Sequence, residues 1–386
     1  MKRLTIFRLS LVAVLSVLTC SFPAPVRASE DLRRELAEVA QSIQKFLDGR
    51  QEDSIAIGQF SGPANFPASA GPGLVQVLTE ELHKLKISVK TRAKFGIKGE
   101  YRVTELPAED KDDARIGVKV LALRIQATIE DSFGNPLTDF SFQRTIRGEA
   151  VLASTIGLTA HLNPGGTERE RDQTTRKALT DPQAAVQASV VRSTAHSPYA
   201  IEILVGGRSR AAALKDGLAF VSIRRGELYS VRLINDSSLE AAVQLRIDGL
   251  SMFAFSDLKQ TAKLPDGKQN PRLGEPLYST VIVPAKSSAV IPGWHRTNDK
   301  TDSFKVTAYA DSAAATLNHT ANIGTITATF QAAWPEGQLA PADEPGKRKG
   351  GAGDATGFGP PIDVKYQEVR RNLGVIRDTI GVRYMK

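Results

Sequence analysis

From Tyr199 to the carboxyl terminus the chain is written in short segments rich in Val, Ile, Tyr and Phe, each separated from the next by turn residues: AIEILV, LAFVSI, GELYSVRLIND, AAVQLRIDGL, STVIVPAKSSAVIPGW, SFKVTAYA, IGTITATFQAAW and TIGVRYM. Most of these segments are too short for helices, and their side chains fit a half-buried pleated surface. Many short strands at close intervals predict an antiparallel β-sandwich or barrel, and a sandwich over 198–386 is the reading adopted. A Gly-, Pro- and Lys-rich stretch at 335–361 interrupts the pattern and is expected to be a mobile insert.

The first half has a different grammar. Leu32, Leu36, Val39, Ile43 and Leu47 recur at spacings of three and four, which predicts an amphipathic helix over 30–48. SIAIGQF (54–60) reads as a buried strand. After a Gly/Pro-rich turn, Leu74, Val77, Leu78, Leu82 and Leu85 mark a second helix, with Lys84 and Lys86 suited to its carboxyl end. ISVKTRA, IKGEYRVTEL and a hairpin turning at Asp131–Pro136 supply further strands. Helix, strand, helix, strands and hairpin predict an α+β class: an amino-terminal α/β-type domain with a mixed sheet over 29–162. Residues 163–197 are polar, with turn formers at both ends, and are expected to be a linker holding one short helix.

The order IAIGQF, a Gly-rich turn, GLVQVLTEELHKLKISVKTRA, IKGEYRV and IEDSFGNPL resembles the periplasmic α/β domain of the curli-assembly (CsgG-like) family and the related amino-terminal domain of TolB, over roughly residues 50 to 160. The chain lacks that family's paired membrane-spanning hairpin strands, so its pore is not carried over. The resemblance implies a non-catalytic domain of the cell envelope that works by contact, with self-association open to it. RGELYSVRLINDSS, VQLRIDGL, VIVPAKSSAVIPGW and DSFKVTAYADS resemble secreted bacterial β-sandwich modules of unassigned role.

The amino terminus points to export. Lys2, Arg3 and Arg8 precede an apolar run from Leu9 to Cys20, and Val26-Arg27-Ala28 places small residues at the −3 and −1 positions of a signal-peptidase site, so 1–28 is expected to be removed. The run of about 12 residues falls short of the ~20 needed to span a bilayer. A retained anchor and a lipid on Cys20 are the alternatives. Cys20 is the single cysteine, so a chain cut after Ala28 has no thiol for a disulfide, a nucleophile or a metal. The formal charge of +8 falls to +4 when Lys2, Arg3, Arg8 and Arg27 leave with the leader. That charge is dispersed rather than gathered in a basic stripe, which argues against a nucleic-acid partner. The expected partner is an envelope protein or a surface polymer.

Trp294, His295, Arg296 and Asp299 are the candidate site, read as a connection at an exposed corner between strands. An aromatic ring beside arginine is the composition of a contact hot spot. The alternative is a hydrolase or metal-dependent enzyme with His295 as base and Asp299 or Asp302 orienting it. A third reading, carbohydrate binding, needs exposed aromatics from Trp294, Trp334, Tyr278 and Tyr309. No histidines share the i, i+4 spacing of a helical metal site, and neither a Gly-x-Ser-x-Gly elbow nor a phosphate loop is present, so no catalytic residue, cofactor or metal is assigned.

Overall fold

The two rows of leucine-type residues become α1 (Ala24–Asp48) and α2 (Gly71–Lys84). Leu36, Val39, Ile43, Leu74, Leu78 and Leu82 are fully buried. Burying each such side chain contributes roughly 1.5–3 kcal/mol, which is what holds both helices to the sheet beneath them. The protein is described by a computed structural model that covers residues 24–63, 70–109, 111–147, 152, 156–263, 267–270, 272–307, 324–344, 352–358 and 366–385. Most of the expected leader, with Cys20, and Tyr309 lie outside the described residues.

That first sheet has the order β2 (Ser88–Lys90), β1 (Ser54–Ser61), β3 (Phe95–Pro107), β4 (Lys119–Asp131), β5 (Pro136–Arg147). β1 runs parallel to both β2 and β3, whereas β3–β4 and β4–β5 are antiparallel, so the sheet is mixed as expected. Ile97, Tyr101, Leu123, Ile125 and Ile129 face the helices and share their core. A short helix, α3 (Lys111–Arg115), joins β3 to β4.

The remaining strands form two sheets. One runs β18 (Gly293–Thr297), β19 (Lys300–Lys305), β13 (Leu228–Asn235), β9 (Tyr199–Val205), β8 (Val190–Arg192), β7 (Ala185–Gln187), with β10 (Arg208–Ser209) on β9 and β17 (Ser287–Ile291) on β13. The other runs β11 (Ala212–Lys215), β12 (Leu218–Ser222), β22 (Tyr366–Met385), β20 (Thr325–Pro335), β14 (Glu240–Ile247), β16 (Thr280–Val283), β21 (Ala352–Phe358), with β15 (Leu250–Ser251) on β14 and β6 (Ala160–His161) on β22. One core cluster draws on both, taking Tyr199, Ile201, Val231 and Leu233 from the first and Val243, Phe330, Ile380 and Val382 from the second. Tyr199 stacks on Phe330 with centroids 5.0 Å apart. β20 is buried at every position from Thr325 to Trp334, because its far face is covered as well.

The chain is therefore mostly β, in mixed and antiparallel sheets, and four expectations need correction. The strands after Tyr199 are not all antiparallel, since β12 runs parallel to β22 and β16 parallel to β21. The stretch 163–197 is more than a polar linker: it holds α4 (Glu168–Thr180), closed by a Thr167–Glu170 capping box, and then β7 and β8, which extend the sheet from β9. Within the expected mobile insert, Ala352–Phe358 is a strand paired with β22 and β16. The short terminal strand is the end of a 20-residue one.

The two halves are not separate. β6 leaves the amino-terminal core, where Ile156 and Leu158 are buried, and pairs with β22. Asp172 of α4 accepts the backbone N–H of Leu121 at 2.6 Å and the Arg176 guanidinium at 2.6 Å. Glu275, 2% exposed, takes Lys84 of α2 at 2.8 Å, Arg272 at 3.1 Å and Arg33 of α1 at 3.4 Å. A buried carboxylate survives desolvation only with such partners, so this ionic hub ties both helices to the later sheets.

Candidate functional site

Alternation along β18 decides where the candidate residues go. Successive side chains of a strand point to opposite faces, so Gly293 and His295 share one buried face while Trp294 and Arg296 share the other, where Trp294 packs on the core through Phe304. The stretch is thus the first arm of the β18–β19 hairpin rather than a connection between strands, and Asn298-Asp299 is its tip. Position 293 requires glycine: a Cβ there would sit 1.9 Å from the carbonyl oxygen of Asp302 across the ladder.

His295 is completely buried, which corrects the expectation of an exposed cluster. Its ring lies 5.1 Å from Phe253, 5.6 Å from Tyr278 and 5.0 Å from Tyr366, an aromatic box around a polar ring. Both nitrogens are occupied. Nδ1 meets Ser256 Oγ at 3.1 Å and Nε2 meets Asn298 Oδ1 at 3.4 Å. Asn298 donates its amide to the Tyr278 hydroxyl at 3.1 Å, which leaves Oδ1 to accept. An accepting Oδ1 places the proton on Nε2, and Nδ1 lies beside a Ser256 hydroxyl that also reaches the Leu258 carbonyl at 3.2 Å. Burial pushes the His295 pKa down, so the neutral ring is the resident form.

The partners assigned from sequence do not gather. Neither Asp299 nor Asp302 is among the described hydrogen-bond partners of His295. Asp302 instead faces Arg296 at 3.7 Å, and Arg296 also holds Asp257 at 3.0 Å. Asp299 is exposed at the hairpin tip, its N–H donating to Thr297 Oγ1 at 3.3 Å. Trp294 is half-buried, edge-on to Phe255 at 5.1 Å and to Phe304 at 5.2 Å. Of the other suppliers of an aromatic platform for a sugar, Tyr278 and Trp334 are buried, and Tyr309 lies outside the described residues.

A second polar cluster escaped the sequence reading. Asp378 of β22 is fully buried, and one of its oxygens, Oδ2, accepts from Ser197 Oγ at 2.5 Å and meets His161 Nδ1 at 3.1 Å. Its other oxygen, Oδ1, is buried without a hydrogen bond among the described residues. Ser, His and Asp are all present, but the order is wrong for nucleophilic catalysis. A triad places the imidazole between hydroxyl and carboxylate so that it takes the serine proton. Here the carboxylate stands in the middle and both neighbours donate to the same atom. Burial pushes the Asp378 pKa up and the hydrogen bond to Asp378 pushes that of His161 up, so the pair as a unit holds a proton to higher pH than either group alone. The signal for this cluster was a lone Asp in the apolar run from Leu373 to Val382, at the same inward register as Ile380 and Val382.

Among the described residues, no group of three or more His, Cys, Asp or Glu converges as a metal site. No described helix is long and apolar enough to cross a membrane. Comparison of the chain with family models, with curated proteins and with solved structures finds no match.

Proposed function

We propose that this is an exported, non-enzymatic envelope or surface protein that binds an envelope protein or a surface polymer. In this reading the second and third sheets form a sandwich, and the amino-terminal sheet with α1 and α2 is a contact domain of the curli-assembly type. What carries the reading is His295: the best candidate base in the sequence is fully buried, with Ser256 and Asn298 on its two nitrogens, leaving no edge for a substrate. The Asp378 cluster supports it, because Ser197 and Asp378 are both buried, out of reach of a substrate.

The test has two arms. Cell fractionation with amino-terminal sequencing should recover the chain outside the cytoplasm, beginning at Ser29; recovery from the cytoplasm with Met1 intact would end the export reading. Purified chain should show no turnover on ester, peptide and glycoside panels that His295→Ala or Ser197→Ala abolishes. Turnover lost in either variant, with the fold retained, would establish an enzyme instead.

A further inference from the structure

α1 and α2 cover one face of the first sheet. On its other face Val120 and Ala122 are buried at one end, and further along Arg102 of β3 stands directly opposite Arg124 of β4. Side chains so paired have Cβ atoms about 4.5–5.5 Å apart, and like charges there repel. No ion pair or hydrogen bond compensates either one among the described residues, and the Nε of Arg124 is buried without a partner. The other cations of this face are already used: Lys98 pairs with Glu130, Lys90 donates to Ser54 Oγ at 3.1 Å, and Arg147 pairs with Glu109 and donates to the Pro107 carbonyl. Among the residues whose side chains are described, Glu100 is the remaining acid, and it stands opposite Gln126 rather than an arginine.

Beside the arginine pair runs a row of neutral polar groups. Gln126 donates to Gln143 at 2.8 Å, Thr145 is register partner to Arg124, and Thr128 to Ser141. Arg102, Ser141 and Gln143 are exposed, and Arg124, Gln126, Thr128 and Thr145 are half-exposed, so the strip is open to a ligand. Two arginines at paired positions offer guanidinium donors that match one carboxylate or a pair of them. The amides and hydroxyls alongside match the hydroxyls of a sugar ring. No aromatic side chain lies among these residues, so the affinity must come from the charged group, which a neutral glycan lacks.

We infer that this face binds an acidic polysaccharide across β3, β4 and β5, with Arg102 and Arg124 clasping a uronate carboxylate and Gln126, Gln143 and Thr145 taking ring hydroxyls. The inference rests on the reading of the protein as a binder of surface polymers, and it names the polymer's chemistry.

The test uses the mature full chain and polygalacturonate, with dextran as the neutral polymer and polyphosphate as the competing polyanion. Polygalacturonate should bind in a salt-sensitive manner and dextran should not. Arg102→Gln with Arg124→Gln should weaken binding at least tenfold at an unchanged or raised melting temperature, since a like-charge repulsion is relieved. Arg208→Gln with Arg225→Gln, which removes the same charge from exposed positions elsewhere, should leave binding intact. Glu100→Gln should tighten it. Equal binding by the Arg102/Arg124 variant, an equal loss in the Arg208/Arg225 variant, binding to dextran, or a tenfold preference for polyphosphate would each overturn the inference. Failure to bind polygalacturonate while an envelope protein is still captured would overturn it and leave the broader function standing.

Discussion

The β18–β19 hairpin and the seam where β6 joins β22 each place a histidine among polar partners, and they differ in how far water and charge reach. His295 is wrapped by Phe253, Tyr278 and Tyr366 and sees only neutral groups on its nitrogens. The side chain of His161 is 41% exposed and meets a buried carboxylate. At His295 desolvation outweighs the pull of Asp257 and favours the neutral ring, whereas at His161 a hydrogen-bonded carboxylate favours the charged one, so the two pKa values move apart. The same residue type is a core side chain in one place and half of an ionic clamp in the other. Burial and neighbours decide between them.

Three perturbations break or sharpen this contrast. Phe253→Ala removes one wall of the box around His295, and deleting a buried phenyl ring should cost about 3–5 kcal/mol in urea unfolding. A loss under 1 kcal/mol would mean that the box is not packed as described. Replacing the histidine itself is milder. His295→Gln leaves Ser256 and Asn298 poorly paired and should cost about 1–3 kcal/mol at pH 7.5. Its pH dependence is diagnostic. With the folded pKa lowered, the unfolded chain binds more protons below about pH 6.5, so the wild type loses stability there on acidification. His295→Gln should flatten that limb, and an unchanged acid limb would place the ring in contact with water.

The smallest effect is expected at the seam. His161 has a raised folded pKa, so its contribution is fully present below about pH 6.5 and is lost as pH rises through the folded value. Its partial exposure screens the interaction. His161→Gln should therefore flatten the alkaline limb, measured as the difference in unfolding free energy between wild type and variant from pH 6 to 9. An unchanged alkaline limb would show that His161 gains no charge against Asp378 in the fold.

Much of the amino-terminal sheet was legible because its apolar residues recur at one period at a time. Leu36, Val39 and Ile43 have nowhere to go but onto a helix face, and Leu121, Leu123 and Ile125 alternate as a strand must. The stretch 163–197 was misread for a related reason. β7 and β8 are three residues each, too short for any period to show, and they are strands only because β9 pairs with β8 and β8 in turn with β7. The candidate site failed at one step: Trp294-His295-Arg296 is polar in sequence, and polarity was taken for exposure. The register that turns His295 inward is set by pairing with β19, a bulge included.

The sequence by itself determined the amphipathic helices, the β-rich second half, the single cysteine and the leader-like amino terminus, because each depends on residues close together in the chain. Only the tertiary structure decided that Asp378 meets His161 and Ser197 across separations of 217 and 181 residues, that Glu275 anchors both helices, and that Arg102 and Arg124 face each other unpaired. Those meetings are fixed by strand register and by which faces the core claims. A one-residue slip in either would reverse them without altering a single local pattern.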